Sequence, residues 1–390
     1  MPRHEESMSS HPVAVVRTGS RHDDPRRPEP GKALCLSGGG YRAMLFHTGA
    51  LWRLNELGYL PKLSRLSSVS GGSITAAVLG LKWSRLGFDA AGVAAGYGRE
   101  VVDPIRGLAG RTIDRGSIIG GILTPGSIGD KIVRAYREHL FGGATLQDLP
   151  ADPPRFVINA TNVQTGALFR FSRPYLADYR LGRILHPRVE LAVAVAASSA
   201  FPPVLSPLEI DFPAGAWTAS GHEDLHREPY LRHVFLTDGG VYDNMGLETA
   251  WKRYDTILVS NGGGKMAPEP DPDTDWARHA LRVNAIIDNQ VRSLRVRLVI
   301  DGFRSGLRKG TYWGIRTSVA DYGLSDALPC PIEKTTALAE TKTRLKELPD
   351  AVQERLINWG YAVCDAAMRK HVEPGAAAPA RFPYPQVGVG

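Results

Sequence analysis

Leu66-Ser67-Ser68-Val69-Ser70-Gly71-Gly72 runs from a short apolar stretch through small residues into a segment rich in Ala, Ile, Val and Leu that ends near Trp83. Read as strand, tight turn and helix (Leu66–Val69, then Gly72–Trp83), it thrusts the Ser70 hydroxyl out at a sheet edge with helix amides behind it. The flanks of such a turn must be small, and Ser68 and Gly72 hold those places. Ser68 is small but carries a Cβ where glycine would give more freedom. Ser67, Ser68 and Ser73 are rival nucleophiles, and the spacing favours Ser70.

Working outward, the same grammar recurs upstream. Ala33-Leu34-Cys35-Leu36 reads as a strand, Ser37-Gly38-Gly39-Gly40 as a loop, and Ala43 to Leu57 as a helix ended by Gly58. Three consecutive glycines let backbone N–H groups converge on an anion, and the helix N-terminus adds its positive end. The loop therefore suits an oxyanion or a phosphate, or is a structural turn. The chain has no G-x-x-x-x-G-K-[ST], and these glycines do not follow G-x-G-x-x-G. Arg42 either binds a substrate phosphate or anchors the loop. Downstream, Phe156–Asn162 and Ala167–Phe171 flank Gln164-Thr165-Gly166 as a hairpin. Val234–Leu236 and Thr256–Ser260 read as buried strands, and residues 276–300 and 340–370 as helical. The alternation predicts an α/β fold with a mainly parallel central sheet.

A third element follows the apolar run Val234-Phe235-Leu236: Thr237-Asp238-Gly239-Gly240-Val241-Tyr242-Asp243-Asn244. An Asp at a strand end before two glycines projects into a sheet-edge site, or marks an ordinary Asp-Gly turn. Asp243 competes with Asp238, but a loop-bracing role suits it better. Histidine is the usual base for a serine nucleophile. Of the eleven histidines, His47 lies within the first helix, His186 precedes Pro187 and His233 adjoins a strand. All three read as structural or exposed. An Asp is a weak base in water, with a pKa of about 3.9, yet desolvation in a closed pocket raises its proton affinity. A Ser70–Asp238 dyad with oxyanion stabilisation from the glycine loop is therefore physically workable.

Taken together these elements resemble the patatin-like phospholipases. That family's pattern is a G-G-G-x-[RK]-G loop, a G-x-S-x-G serine and a D-G-[GA] aspartate, in that order. Here stand Gly38-Gly39-Gly40-Tyr41-Arg42-Ala43, then Ser68-Val69-Ser70-Gly71-Gly72, then Asp238-Gly239-Gly240. Ala197-Ser198-Ser199-Ala200-Phe201-Pro202-Pro203 is similar to the family's A-S-x-A-x-P-x segment. The resemblance covers about residues 31–260. It implies a three-layer α/β/α fold and a hydrolase of phospholipid or lysophospholipid acyl esters. Ser70 would be the nucleophile, Asp238 the base, and the amides of Gly38, Gly39, Gly40, Tyr41 and Arg42 the oxyanion hole. Ser68 and Ala43 depart from the family's glycines, which bears on loop geometry. A thioesterase or other acyl hydrolase shares this chemistry. A non-catalytic anion- or lipid-binding protein would need neither Ser70 nor Asp238.

The totals bound the rest. The 390 residues are 43% hydrophobic and 22% charged, ordinary globular values. Residues 1–30 read as a flexible polar tail, 31–373 as one hydrolase domain with a helical C-terminal part, and 374–390 as a flexible tail. Cys35, Cys330 and Cys364 are too few and too widely spaced for a disulfide framework or a zinc site. They fit a reducing, cytoplasmic setting, and neither cofactor nor metal is expected. No apolar run approaches the roughly 20 residues that span a bilayer, so any lipid is met from the surface. The net charge is +7, and residues 278–309 alone carry net +6, with Ile286, Ile287, Val291 and Leu294 interleaved. That segment reads either as a contact for anionic membrane or as a solvated basic helix packed on the core. With no recognised binding module, a nucleic-acid partner is not expected. Oligomeric state is not legible.

Overall fold

The computed structural model describes residues 28–113 and 125–390, so most of the tail expected over residues 1–30 lies outside the described residues. The first half contains β1 (Glu29–Leu36), α1 (Gly40–Glu56), β2 (Arg65–Val69), α2 (Gly71–Lys82), α3 (Asp103–Ala109) and α4 (Pro125–Tyr136). Next come β3 (Arg155–Asn162), β4 (Ala167–Phe171), β5 (Tyr175–Asp178), β6 (Gly182–Leu185), α5 (Leu191–Ser198), β7 (Leu208–Asp211) and β8 (His233–Asp238). The chain closes with α6 (Gly240–Asp243), α7 (Glu248–Trp251), β9 (Tyr254–Asn261), α8 (Trp276–Arg304), β10 (Lys309–Gly314), α9 (Ile332–Ala339) and α10 (Asp350–His371).

One sheet organises these elements, in the order β10-β9-β1-β2-β3-β4-β5-β6. Its heart, β10, β9, β1, β2 and β3, is parallel. β4, β5 and β6 extend it antiparallel, and β8 joins β3 antiparallel with β7 outside it. The β3–β4 hairpin pairs Asn162 with Ala167, as the Gln164-Thr165-Gly166 turn predicts. Side chains of a strand alternate between faces, and β1 shows the consequence. Leu34 and Leu36 join the large core under α1, α2 and α10, whereas Ala33 and Cys35 join a smaller core with Met245, Trp251, Ile257 and Val299 beneath α7 and α8. Helices thus cover both faces, the α/β/α arrangement.

The first helix ends as its sequence predicts. Gly58 takes φ 58° and its N–H bonds the Asn55 carbonyl, while Tyr59 N–H reaches back to Leu54, the double bond of a Schellman cap. Two expectations are revised. Residues 341–349 are not helical; α10 begins only after Pro349, because a proline lacks an N–H and its preceding residue avoids the helical region. The segment from Pro374 is not a loose tail either. Asn358 of α10 bonds the carbonyls of Tyr384 and Gly388 and accepts from the Tyr384 amide, and Phe382 and Val389 are buried. The Ala/Pro composition of residues 374–380 hid the anchors that follow it.

Helices α1 and α10 cross at glycines. A Cβ at Gly49 would lie 1.8 Å from the Ile357 carbonyl oxygen, and one at Gly360 1.8 Å from that of Phe46. Gly360→Val should therefore destabilise the protein by at least about 1–3 kcal/mol, read as a lower urea midpoint. Gly375→Val, where the added Cβ meets open space, should change it by less than about 0.5 kcal/mol. Equal losses in both would refute the close-crossing account.

Candidate active site

The site forms where three strands end. β3 pairs with β2 as far as Asn159, opposite Val69, and from Ala160 onward the same edge pairs with β8, with Asp238 opposite Ala160. Ser70 follows Val69 directly, so the register alone brings Ser70 and Asp238 together. Ser70 has φ 52° and ψ −121° at the N-terminus of α2. A left-handed, non-glycine residue there costs roughly 1–3 kcal/mol and is held by its surroundings. Those surroundings are close: a Cβ at Gly71 would lie 2.2 Å from the Gly40 carbonyl oxygen, and one at Gly72 2.6 Å from that of Ser37. Ser68, by contrast, is an ordinary strand residue of β2. Its hydroxyl reaches the Val157 carbonyl and meets Ser73, so the turn accommodates a side chain there.

The Ala197–Pro203 segment clamps both candidates. The Ser198 hydroxyl, at the end of α5, accepts the Ser70 N–H at 2.9 Å and donates to the Asn159 carbonyl at 2.6 Å. The Asp238 N–H bonds the Ala200 carbonyl and the Gly239 N–H that of Ser198. The carbonyl of Asp238 accepts from Thr161, and the Gly240 N–H donates to its carboxylate at 2.7 Å. Ser198, Asn159 and Thr161 were not singled out from sequence. The Ala197–Pro203 run is a signal for Ser198 alone, since Asn159 and Thr161 lie within the β3 strand.

Asp238 is 3% exposed and Ser70 7%. Burial pushes the Asp238 carboxyl up to about 6, against hydrogen bonding from the Gly240 amide and the Ser70 side chain and the attraction of Arg292. Asp243 is also buried, but it receives the amides of Met245 and Glu248 and lies 3.4 Å from Arg295. It braces the start of α7. His47 is fully buried, its Nε2–H donating to the Ser37 carbonyl and its Nδ1 accepting from Ser260. Burial lowers it to about 4, so it stays neutral under the loop. His186 and His233 are exposed, and His233 pairs with Asp211.

The glycine loop divides. The Gly38 N–H is taken by the Asn244 carbonyl and the Tyr41 N–H by that of Arg344. Gly39 and Gly40, at φ 141° and 58°, have amides with no hydrogen-bond partner among the described residues. Gly38 lies against the nucleophile candidate, since a Cβ there would sit 3.0 Å from that of Ser70. Arg42 acts as an anchor. Its Nε donates to the Gly262 carbonyl and its Nη1 to those of Ala339 and Thr341, and burial, with Arg292 and Arg316 nearby, lowers it to about 10.

A family model described as "Patatin-like phospholipase" matches residues 34–251, more than half of the chain. No curated protein sequence matches. Among solved structures, the chain is similar to human GIVD cytosolic phospholipase A2 in complex with methyl gamma-linolenyl fluorophosphonate, at 16% identity and TM-score 0.49 over 86% of this chain and 57% of that one. It is also similar to VipD from Legionella pneumophila, at 16% identity and TM-score 0.34 over 87% of this chain and 66% of that one. The chain thus spans little more than half the length of the phospholipase A2 structure.

The raised carboxyl has a consequence for stability. Below pH 4 Asp238 is protonated whether folded or not. As pH rises through about 6 the folded protein must carry a buried charge, and that stability is lost. Asp238→Asn should therefore stabilise the protein at pH 8, by up to about 3 kcal/mol, with the gain vanishing near pH 4. Paired urea titrations at the two pH values test this, and a pH-independent difference would refute it.

Proposed function

Because the chain belongs to the patatin-like phospholipase family, we propose that it is a lipid acyl hydrolase working through a Ser70–Asp238 dyad on phospholipid or lysophospholipid esters. The observation that carries this reading is the meeting of a strained Ser70, at the head of α2, with a buried Asp238 whose proton affinity is raised into the range of a working base. Among the described residues no histidine bonds Ser70: His47, the buried one of the three candidates, is bonded on its two ring nitrogens to Ser260 and the Ser37 carbonyl.

In the proposed reaction Asp238 accepts the Ser70 proton as Oγ attacks the ester carbonyl. The amides of Gly39 and Gly40, whose donors are uncommitted, hold the oxyanion, and the α2 N-terminus adds its positive end. Protonated Asp238 then returns the proton to the leaving alkoxide, releasing lysolipid or glycerol-phosphate alcohol. The resulting acyl-Ser70 is hydrolysed by water that Asp238 deprotonates, and the proton returns to Ser70 as the fatty acid leaves. Above pH 6 the carboxylate form that begins this cycle predominates. Ser70→Ala should abolish ester release across phospholipid, lysophospholipid, glyceride and thioester substrates, and should also abolish labelling by a fluorophosphonate probe. Labelling or turnover that persists in this variant would sink the dyad.

Helix α8 supports a lipid surface as the place of work. No helix among the described residues is long and apolar enough to cross a membrane. Yet Trp276, Val283, Ile287, Val291, Leu294 and Leu298 are exposed, Trp276 by 86%. Their spacing puts them on one stripe at 3.6 residues per turn. Exposed Arg278, Arg297 and Arg304 give the helix surface a cationic character suited to anionic head groups. On the opposite side Arg292 bonds the Gly264 carbonyl and Arg295 that of Tyr242, which fixes the helix beside the dyad. Ile287→Asp/Leu294→Asp should lose flotation with anionic vesicles and hydrolysis of vesicle lipid while retaining hydrolysis of a soluble short-chain ester. Unchanged flotation, or a wild-type dimer that dissociates in the variant, would assign the stripe to another occupant.

A further inference from the structure

A second run of three glycines, Gly262-Gly263-Gly264, follows β9 and lies against the first. A Cβ at Gly39 would lie 2.9 Å from the Gly262 carbonyl oxygen, and one at Gly262 2.8 Å from the Cα of Ala43. The Gly262 N–H donates to the Ser37 hydroxyl at 2.8 Å, and its carbonyl accepts from Arg42. With no side chains between them, the two loops press backbone to backbone, and a shift of one is passed to the other.

Helix α8 holds the far end of this second loop. Arg292 donates from Nη1 to the Gly264 carbonyl at 2.8 Å and pairs through Nη2 with Asp288, one turn earlier in the helix, at 2.7 Å. Two groups converge near Gly263. A Cβ there would lie 3.5 Å from Arg292 Nη1 and 3.9 Å from the Gly38 carbonyl oxygen. Gly38 is itself packed against Ser70. The contacts from the guanidinium to the nucleophile therefore pass through only two glycines.

The charge of Arg292 also reaches the base. Burial raises the Asp238 carboxyl; Arg292 opposes that rise and Asp288 adds to it. Other groups at this turn bring no competing charge. Ser70 of α2, Ser198 of α5 and Thr161 of β3 are neutral. Tyr136 of α4, whose hydroxyl meets Ser199, is pushed up by burial and stays neutral as well. Helix α8 thus supplies Asp238 with two ionic neighbours of opposite sign, paired to each other.

We propose that Arg292 is a positioning residue for the dyad, holding α8 against the paired glycine loops and setting its positive charge to act on Asp238. This rests on the Ser70–Asp238 reading and adds to it the partner that the lipid-facing helix supplies. Asp288 is the counterweight: its carboxylate keeps the guanidinium in place and offsets part of its charge.

The test is the pH dependence of kcat/KM on a soluble short-chain ester, read as the ratio of its values at pH 5 and pH 8. Low ionic strength is needed because the pair is partly exposed. The carboxylate is the working form. Losing Arg292 therefore raises the proton affinity of Asp238 and moves the acidic limb to higher pH, whereas losing Asp288 moves it lower. Arg292→Gln should cut the ratio at least about threefold. Asp288→Asn should raise it, and Arg292→Lys, which keeps the charge, should return it towards wild type. A loss of packing alone would lower the rate at both pH values and leave the ratio where it was. Should Arg292→Gln fail to fold, Asp288→Asn carries the test, since that side chain is 40% exposed. Unchanged ratios, or shifts of the same sign in the Gln and Asn variants, overturn the proposal, and with Ser70→Ala inactive the dyad still stands. Turnover that persists in Ser70→Ala overturns the dyad instead, and the role of Arg292 with it.

Discussion

Strand β3 carries two partners along one edge: parallel β2 as far as Asn159, then antiparallel β8 from Ala160. Neither partner can run further without colliding with the other. Both chains must therefore turn away at the same point, β2 into the Ser70 turn and β8 into the Asp238-Gly239-Gly240 turn. The proposed dyad is a by-product of that shared edge. A slip of one residue in either ladder would turn the side chains to the opposite face and part the pair. The α5 end guards against this, since Ser198 bonds the Ser70 amide, the Asn159 carbonyl and the Gly239 amide together.

Closeness at this junction explains both its glycines and its electrostatics. Gly71, Gly72 and Gly239 each sit where a Cβ would lie under 3 Å from a neighbouring backbone oxygen. Such packing excludes water, and exclusion of water is what raises Asp238 to about 6. The same desolvation lowers His47 to about 4 and removes it as a base. One physical cause thus strengthens the carboxylate as a proton acceptor and weakens the imidazole beneath the loop. The stability lost at Asp238 above pH 6 is the counterpart of its proposed role.

The charged groups divide by side. Arg42, Arg292 and Arg295 give donors to backbone carbonyls around the dyad, with one buried nitrogen of each left unpartnered among the described residues. Arg65, at the far end of β2, is tied instead to the Thr249 carbonyl. A net charge of +7 therefore describes no single function. It is distributed between loop anchors, an exposed helix surface and the far end of β2.

Much was legible in the sequence because it is local. The strand–turn–helix at Leu66–Trp83, the Gly58 cap, the 156–171 hairpin and the order of the glycine loop, serine and aspartate depend on neighbours a few residues apart. The residues that complete the site were not, because their partners are distant in the chain. Ser198 acts on Ser70 across 128 positions and Thr161 on Asp238 across 77. The role of each glycine-loop amide was equally hidden, for only the fold brings the Asn244 and Arg344 carbonyls to Gly38 and Tyr41. The C-terminal segment makes the same point, since Asn358 holds it through a contact that composition cannot express. By itself the sequence determined which residue types stand at each turn, since backbone sterics and hydrophobic period act locally. Tertiary structure decided which donors stay free and which charges lose water, because burial and register are set by partners far along the chain.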